Sequence, residues 1–159
     1  MYRYLTRISL ILLATSSLYV YLPGQTDLAP AQSLKDTAAV YALIAKNTFR
    51  SDPNYSKLNA VKARTILEDF QQDSIFIAAT NSLGLAYFFE GNFSSAKAYL
   101  EEASSLSLAK GDSLAAMKSK GNIGMLAIST GRFRIGIEVT NEVAMWFLSI
   151  GDSLTYASQ

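Results

Sequence analysis

The feature that most constrains this chain is an internal repeat with a spacing of 40 residues. Three pairs of segments match at that spacing: LGLAY and IGMLA from residues 83 and 123, GNF and GRF from residues 91 and 131, and two copies of GDSL from residues 111 and 151. A period of roughly 20–50 residues is typical of proteins in which one supersecondary unit stacks on the next. The sequence therefore predicts a stacked repeat protein.

The repeating unit has the pattern of a helix pair. Residues 74–90 and 94–110 carry apolar or small side chains every three or four positions, which predicts two amphipathic helices. Gly91 is placed for a left-handed turn between them, and Ser94 is expected to cap the second helix. No strand alternation persists in this part of the sequence. The predicted fold class is therefore all-α.

The same pattern predicts one more helix pair after this one and a degenerate pair before it. The later pair covers residues 113–130 and 133–150. The earlier pair opens at Ser33, which has capping-box spacing, and resumes at Pro53, a residue suited to start a helix. The apolar faces are assigned to Leu58, Val61, Ile66, Leu67 and Phe70 in the helix after Pro53, and to Val139, Val143, Trp146 and Ile150 in the last helix.

The first 31 residues differ from the rest and predict export. Arg3 and Arg7 precede an uncharged apolar run of about 15 residues, the order found in secretory signals. The run is shorter than the roughly 20 residues of a full membrane span. The alternatives are an uncleaved anchor and a buried core helix. The predicted units are 1–31 signal peptide or anchor, 32–72 degenerate pair, 73–111 repeat, 112–150 repeat and 151–159 start of a truncated repeat. We expect a periplasmic protein, or one anchored in the inner membrane facing the periplasm.

Composition argues against most catalytic and metal chemistry. The chain has no His and no Cys, which removes the usual nucleophile–base pairs and the usual ligands of zinc, haem and iron–sulfur clusters. Its net charge of +1 lacks the basic surplus of a nucleic-acid-binding domain. Glu138 and Glu142 share a helix face and are interpreted as solvated carboxylates. We expect no enzyme activity, no catalytic residue, no metal and no cofactor.

The residues of the clearest repeat resemble the tetratricopeptide repeat family. The first helix in that family carries a large residue, then Leu-Gly and Tyr, and the second carries Ala, an aromatic or Leu, and Ala. The matching positions here are Leu83, Gly84, Tyr87, Phe93, Ala96, Leu100 and Ala103. The resemblance implies tetratricopeptide-like helix-turn-helix repeats stacked as a right-handed superhelix of about three helix pairs. It also implies that Gly84 and Ala96 are small to let the two helices touch.

The long period and the GDS junctions narrow the resemblance to exported repeat arrays of Bacteroidetes-type bacteria. Such arrays stand ahead of sensor kinases or transcriptional regulators. The resemblance therefore implies the exported N-terminal input or docking region of a longer signalling protein, acting as a non-enzymatic protein–protein interaction scaffold. The alternative is a purely structural or dimerisation array with no ligand of its own.

The resemblance also indicates where a partner would bind, on residues projecting from the first helix of each pair. The candidate groove residues are Asn81, Ser82, Leu85, Phe88, Phe89, Lys118, Asn122, Met125 and Ser129. The expected partner is a protein or peptide, which includes a second copy of this chain or a C-terminal part of the same protein. No nucleic acid is expected, and a membrane only through the N-terminal segment.

Overall fold

Six α-helices follow one another along residues 28–151, the part of the chain that the computed structural model describes. They are α1 Leu28–Thr48, α2 Pro53–Ile66, α3 Ser74–Phe89, α4 Phe93–Lys110, α5 Ser113–Ser129 and α6 Phe133–Ser149, and a 3-10 turn, Glu68–Phe70, lies between α2 and α3. Residues 28–151 contain no strand, so the predicted all-α class is confirmed. Residues 1–27 of the predicted export segment and residues 152–159 of the predicted truncated repeat lie outside the described residues.

The helices pack as neighbouring pairs. Helix α1 packs on α2, α3 on α4 and α5 on α6, and the second helix of each pair also contacts the first helix of the next pair. Helix α3 additionally touches α1 and α5, so the first helices of the pairs lie side by side. The described part of the chain is thus an all-helical repeat array, with α1, α3 and α5 contributing to a common surface.

Four of these helices begin at a residue whose side chain caps them. The caps of α2, α3, α4 and α5 are Asp52, Asp73, Asn92 and Asp112, each of which accepts a hydrogen bond from a backbone N–H of the first turn. Such bonds satisfy donors that have no partner within the helix. The prediction that Ser94 caps α4 is wrong, because Asn92 Oδ1 accepts from the Ser95 N–H at 3.2 Å.

The turns inside the helix pairs lie where glycine was expected. Gly91 and Gly131 have φ of +85° and +78°, in the left-handed region that favours glycine. The first helix differs from its predicted start. It begins at Leu28, so Ser33 lies inside α1 rather than ahead of it. Pro30 is compatible with this earlier start, since the first turn of a helix needs no backbone donor from it.

Asp73 links the start of α3 to α1. Its Oδ2 lies 2.7 Å from Lys35 Nζ, in addition to the cap bond with the Ile75 N–H. Partial burial raises the pKa of Asp73, but the hydrogen bonds from Lys35 and Ile75 and the charges of Lys35 and Lys110 outweigh it. The pKa of this carboxyl is therefore held below its ordinary value, and the fold stabilises the carboxylate form.

The buried face of the second helices repeats at the 40-residue spacing and consists largely of small side chains. The positions buried in all three helices are Ser56 and Ala63 in α2, Ala96 and Ala103 in α4, and Gly136 and Val143 in α6. The apolar faces predicted for α2 and α6 are therefore partly wrong. Leu58, Val61, Phe70 and Ile150 are exposed. Leu67 and Val143 are buried as predicted, and Phe147 is fully buried in addition. Small residues allow closely spaced backbones, and this turns the larger apolar side chains of α2 outward.

Glycines set the spacing within two of the helix pairs. A Cβ on Gly84 would lie 2.8 Å from Leu100 Cγ, which agrees with the expectation that Gly84 lets α3 and α4 touch. A Cβ on Gly136 would lie 2.9 Å from the Gly124 carbonyl oxygen and 2.9 Å from the Ile128 nitrogen. Helices α5 and α6 are therefore in backbone contact at this point.

Arg64 joins three consecutive helices. Its guanidinium donates to both oxygens of Glu102 at 2.8 and 3.0 Å, and to Thr80 Oγ1 at 2.7 Å. It also lies over the rings of Phe76 and Tyr99, at 4.7 and 5.3 Å from their centroids. A planar guanidinium suits this combination of a two-point carboxylate bond and ring stacking. Arg64 therefore fixes the position of α2 relative to α3 and α4.

Candidate functional site

A groove crosses the surface formed by α1, α3 and the start of α5. Its volume is about 250 Å³. It is lined by Lys46 and Phe49 near the end of α1, by Ser74, Ile77, Ala78, Asn81, Ser82 and Leu85 from α3, and by Asp112, Ala115, Lys118 and Ser119 from the start of α5. Because these first helices lie side by side, the groove runs across the repeats rather than along one of them.

The floor of the groove is apolar. Ile77 and Leu85 lie about two turns apart on α3, on either side of Asn81, and their side chains are buried. The half-buried ring of Phe49 closes the floor on the α1 side. An apolar side chain of a ligand would therefore find a dry contact surface here, which is the usual character of a binding pocket.

The charges of the groove are mainly positive. Lys46 and Lys118 are exposed at its edge, and neither has an ion-pair partner among residues 33–151. Asp112 is the acidic residue among the lining side chains, and its Oδ1 is engaged as the α5 cap by the Ala115 N–H at 2.9 Å. A ligand in the groove therefore meets two ammonium groups without an ion-pair partner, whereas the Asp112 carboxylate already accepts a backbone hydrogen bond.

The orientation of the Asn81 side chain is set by two donors from α5. Its Oδ1 accepts hydrogen bonds from Ser119 Oγ and from Asn122 Nδ2, each at 3.1 Å. With the amide oxygen occupied by two donors from α5, the Nδ2 group is left as the free hydrogen-bonding end of the side chain. The groove therefore offers a positioned amide donor between its two lysines.

The structure distributes the predicted groove residues over three environments. Four line the groove, namely Asn81, Ser82, Leu85 and Lys118. Asn122 does not line the groove, but its Nδ2 donates a hydrogen bond to Asn81 Oδ1. The other four, Phe88, Phe89, Met125 and Ser129, do not line the groove. Ser82 is buried, and its hydroxyl donates to the Ala78 carbonyl oxygen at 2.9 Å, so it contributes shape rather than a free polar group.

Phe88 and Phe89 belong to an aromatic cluster at the turn end of the first two helix pairs. The ring of Phe89 lies 5.2 Å from that of Phe88 and 5.6 Å from that of Phe49, and Phe93 lies 5.9 Å from Phe88. The Arg50 guanidinium lies 5.6 Å from the ring centroids of both Phe49 and Phe89. Phe49 packs against the cluster and also lines the groove, so the cluster supports one end of the groove floor.

Sequence reasoning missed the contribution of α1 to the groove, above all Lys46 and Phe49. A signal for it exists in the buried pattern of α1. Ala38, Ala42 and Ala45 stand 41 residues before Ala79, Leu83 and Ala86, and all six are buried. The offset is 41 rather than 40 because the connection from α1 to α2 is one residue longer than that from α3 to α4. An alignment that allowed this insertion would have placed the end of α1 beside α3.

No family model matches this chain, and neither a curated protein nor a solved structure matches it at a significant level. Within the described residues, no helix is both long and apolar enough to cross a membrane. The same residues contain no group of three or more His, Cys, Asp or Glu side chains placed to hold a metal ion.

Proposed function

We propose that this chain is a non-enzymatic protein–protein interaction scaffold that binds a peptide segment in the groove across α1, α3 and α5. The observation that carries the proposal is a buried apolar floor combined with three free donors, Lys46, Asn81 and Lys118, in one concave site. Protein and peptide interfaces commonly bury an apolar anchor and use a few polar groups to orient it.

The polar groups of the groove favour a peptide that is rich in hydrogen-bond acceptors. Asn81 Nδ2 can donate to a backbone carbonyl, and the Lys46 and Lys118 ammonium groups can pair with carboxylates. An apolar side chain placed on Ile77 and Leu85 would gain about 25 cal/mol for each Å² of apolar surface removed from water. The best-fitting peptide therefore carries an aromatic or aliphatic residue beside aspartate or glutamate.

A binding experiment with paired peptides tests this proposal. Two fluorescent peptides carry the same central phenylalanine, flanked by glutamates in one and by lysines in the other, and are titrated with the full-length chain. We expect the acidic peptide to bind more tightly, and the double variant Lys46→Glu, Lys118→Glu to weaken it about tenfold or more. The double variant Lys97→Glu, Arg134→Glu is the matched control with the same change in charge, because both side chains are exposed and neither lines the groove. Equal binding of both peptides, or an equal loss in the control, would contradict the proposal.

A second candidate function is a structural array that associates through α6. Ile137 and Met145 on α6 are 54% and 67% exposed. The residues 40 positions earlier on α4 are Lys97 and Ser105, also exposed. The equivalent positions of α4 are polar, so the repeat itself does not require apolar side chains there. The exposed apolar side chains on α6 therefore favour contact with a second copy. The double variant Ile137→Lys, Met145→Ser copies α4 and should abolish self-association if this role is the true one.

We also propose that the array is tetratricopeptide-like and belongs to an exported signalling protein. The repeat residues Leu83, Gly84 and Tyr87 support the first part. Arg3 and Arg7 ahead of an uncharged run support the second. Fractionation of bacteria that express the full-length chain should recover it outside the cytoplasm, and deletion of residues 1–31 should leave it inside. Recovery of the intact chain in the cytoplasm would contradict the export proposal.

A further inference from the structure

The Glu68–Phe70 turn exposes acidic and aromatic side chains at a surface depression that Leu106 and Lys110 also line. Phe70 is 60% exposed, and Glu68 and Asp69 are exposed with no ion-pair partner among the described side chains. The backbone of the turn is nevertheless fixed. The Phe70 N–H donates to the Leu67 carbonyl and the Asp73 N–H to the Phe70 carbonyl, each at 2.8 Å. The fold therefore presents a large aromatic side chain to solvent in a defined position.

This turn is the chemical complement of the groove. The turn carries two unpaired carboxylates beside one exposed ring, and the groove carries two unpaired ammonium groups, Lys46 and Lys118, beside an apolar floor. The groove volume of about 250 Å³ is enough for one aromatic side chain. None of the turn residues lines the groove of its own chain. The match is therefore available to another molecule.

We propose that the groove binds the Glu68–Phe70 turn of a second copy of this chain. Phe70 of one copy would lie on Ile77 and Leu85 of the next, with Glu68 and Asp69 beside the lysines. The proposal rests on the proposed peptide-binding function of the groove and names its occupant. Because the turn and the groove share no residue, each copy can donate one and accept the other. One such contact leaves a free turn and a free groove, so association continues into rings or open chains unless two copies exchange their turns about a two-fold axis.

Sedimentation velocity of the full-length chain over a range of concentrations tests the proposal. The wild-type chain should form dimers or larger species as concentration rises, and these should dissociate at high ionic strength. Phe70→Ser should weaken self-association about tenfold or more, because it removes the buried anchor. The double variant Lys46→Glu, Lys118→Glu should do the same from the other surface. The α6 control, Ile137→Lys with Met145→Ser, should associate as the wild type does.

Mixing the variants gives the sharper result. Phe70→Ser retains an intact groove, and Lys46→Glu, Lys118→Glu retains an intact turn. A mixture of the two should therefore form a one-to-one complex that grows no further. A wild-type chain that stays monomeric, a mixture that forms no complex, or loss of association in the α6 control would each overturn the proposal.

A peptide covering residues 65–73 separates this inference from the proposed function. The peptide should bind the full-length chain, and the same peptide with Phe70→Ser should bind about tenfold or more weakly. If unrelated acidic and aromatic peptides bind the groove but this one does not, the inference fails and the proposed function stands. If none of them binds, both fail. Circular dichroism confirms that each variant is folded, and the two surfaces are tested by independent substitutions.

Discussion

Replacement of Gly136 by alanine tests whether α5 and α6 are held in backbone contact. In an isolated helix this change is favourable by about 1 kcal/mol, since glycine is the weaker helix former. In the folded array the added Cβ would lie 2.9 Å from both the Gly124 carbonyl oxygen and the Ile128 nitrogen. Both atoms belong to the backbone of α5 and cannot move aside as a side chain does. The two helices must therefore separate.

The expected loss follows from comparing these two effects. Overpacking in a close-packed contact costs about 1–3 kcal/mol and more where backbone must shift. Because backbone must shift here, the cost lies in the upper part of that range, about 2–3 kcal/mol. After subtraction of the propensity gain of about 1 kcal/mol, we expect Gly136→Ala to lower the free energy of unfolding by about 1–2 kcal/mol. For a chain of this size, that loss corresponds to a melting temperature lower by roughly 2–8 °C. Thermal and urea denaturation of the full-length chain, followed by circular dichroism at the helix band, measures both quantities.

Two controls make the measurement specific. Gly84→Ala meets chiefly the Leu100 side chain, with its Cγ at 2.8 Å and the Leu100 nitrogen at 3.2 Å. A leucine side chain can rotate, so this variant should lose less stability than Gly136→Ala. Ser105→Ala on the exposed side of α4 should change stability by less than about 0.5 kcal/mol. If Gly136→Ala is as stable as the wild type or more so, helix propensity outweighs the contact and the backbone approach described here is refuted.

Further predictions address charge, the groove and a turn. Because the pKa of Asp73 is lowered in the fold, its carboxylate stabilises the folded state above the unfolded-state pKa, and this contribution is lost as pH falls through the folded-state pKa. The stability of Asp73→Asn should therefore depend less steeply on pH in acid unfolding. The same pH dependence as in the wild type would refute the argument. A double-mutant cycle on Arg64 and Glu102 should give a coupling of about 1 kcal/mol, discounted for partial exposure of the pair, whereas additive losses would show that the pair is not coupled. Asn81→Asp keeps the Oδ1 acceptor but replaces the free Nδ2 donor with a second carboxylate oxygen. Affinity for the acidic peptide should therefore fall, while thermal stability stays near that of the wild type. Unchanged affinity would place Asn81 outside the site. Gly91→Ala should cost about 1 kcal/mol through its positive φ alone, since a Cβ there meets nothing within 4 Å; full stability by urea titration would contradict this.

The boundaries of the helices were largely predictable because they depend on short segments. Gly91 and Gly131 lie at the expected turns, and Pro53 starts α2 as predicted. The predicted N-cap of α4, Ser94, lies two residues after the actual one, Asn92. Asparagine and serine both favour the N-cap position, so the sequence alone does not choose between them. Local backbone preferences thus explain both the successes and the size of this error.

The buried faces were harder to predict because hydrophobicity alone does not say how closely two helices approach. Leu58 and Val61 have the spacing of a core stripe, yet they are exposed. Ser56 and Ala63 of the same helix are buried, because a close contact between backbones selects small residues. The distance between helices is a tertiary quantity, and it decides which of two candidate stripes faces inward.

The repeat, the all-α class and the order of helices and turns were all predictable from the sequence. The 40-residue spacing and the glycine turns are local and periodic signals, so they can be read without coordinates. Only the tertiary structure brought the end of α1 beside α3, placing Lys46 and Phe49 with Leu85, and turned the Asn81 amide by bonds from α5. The physical reason is that a groove across repeats depends on the relative positions of helices distant in sequence, and these positions are set by packing.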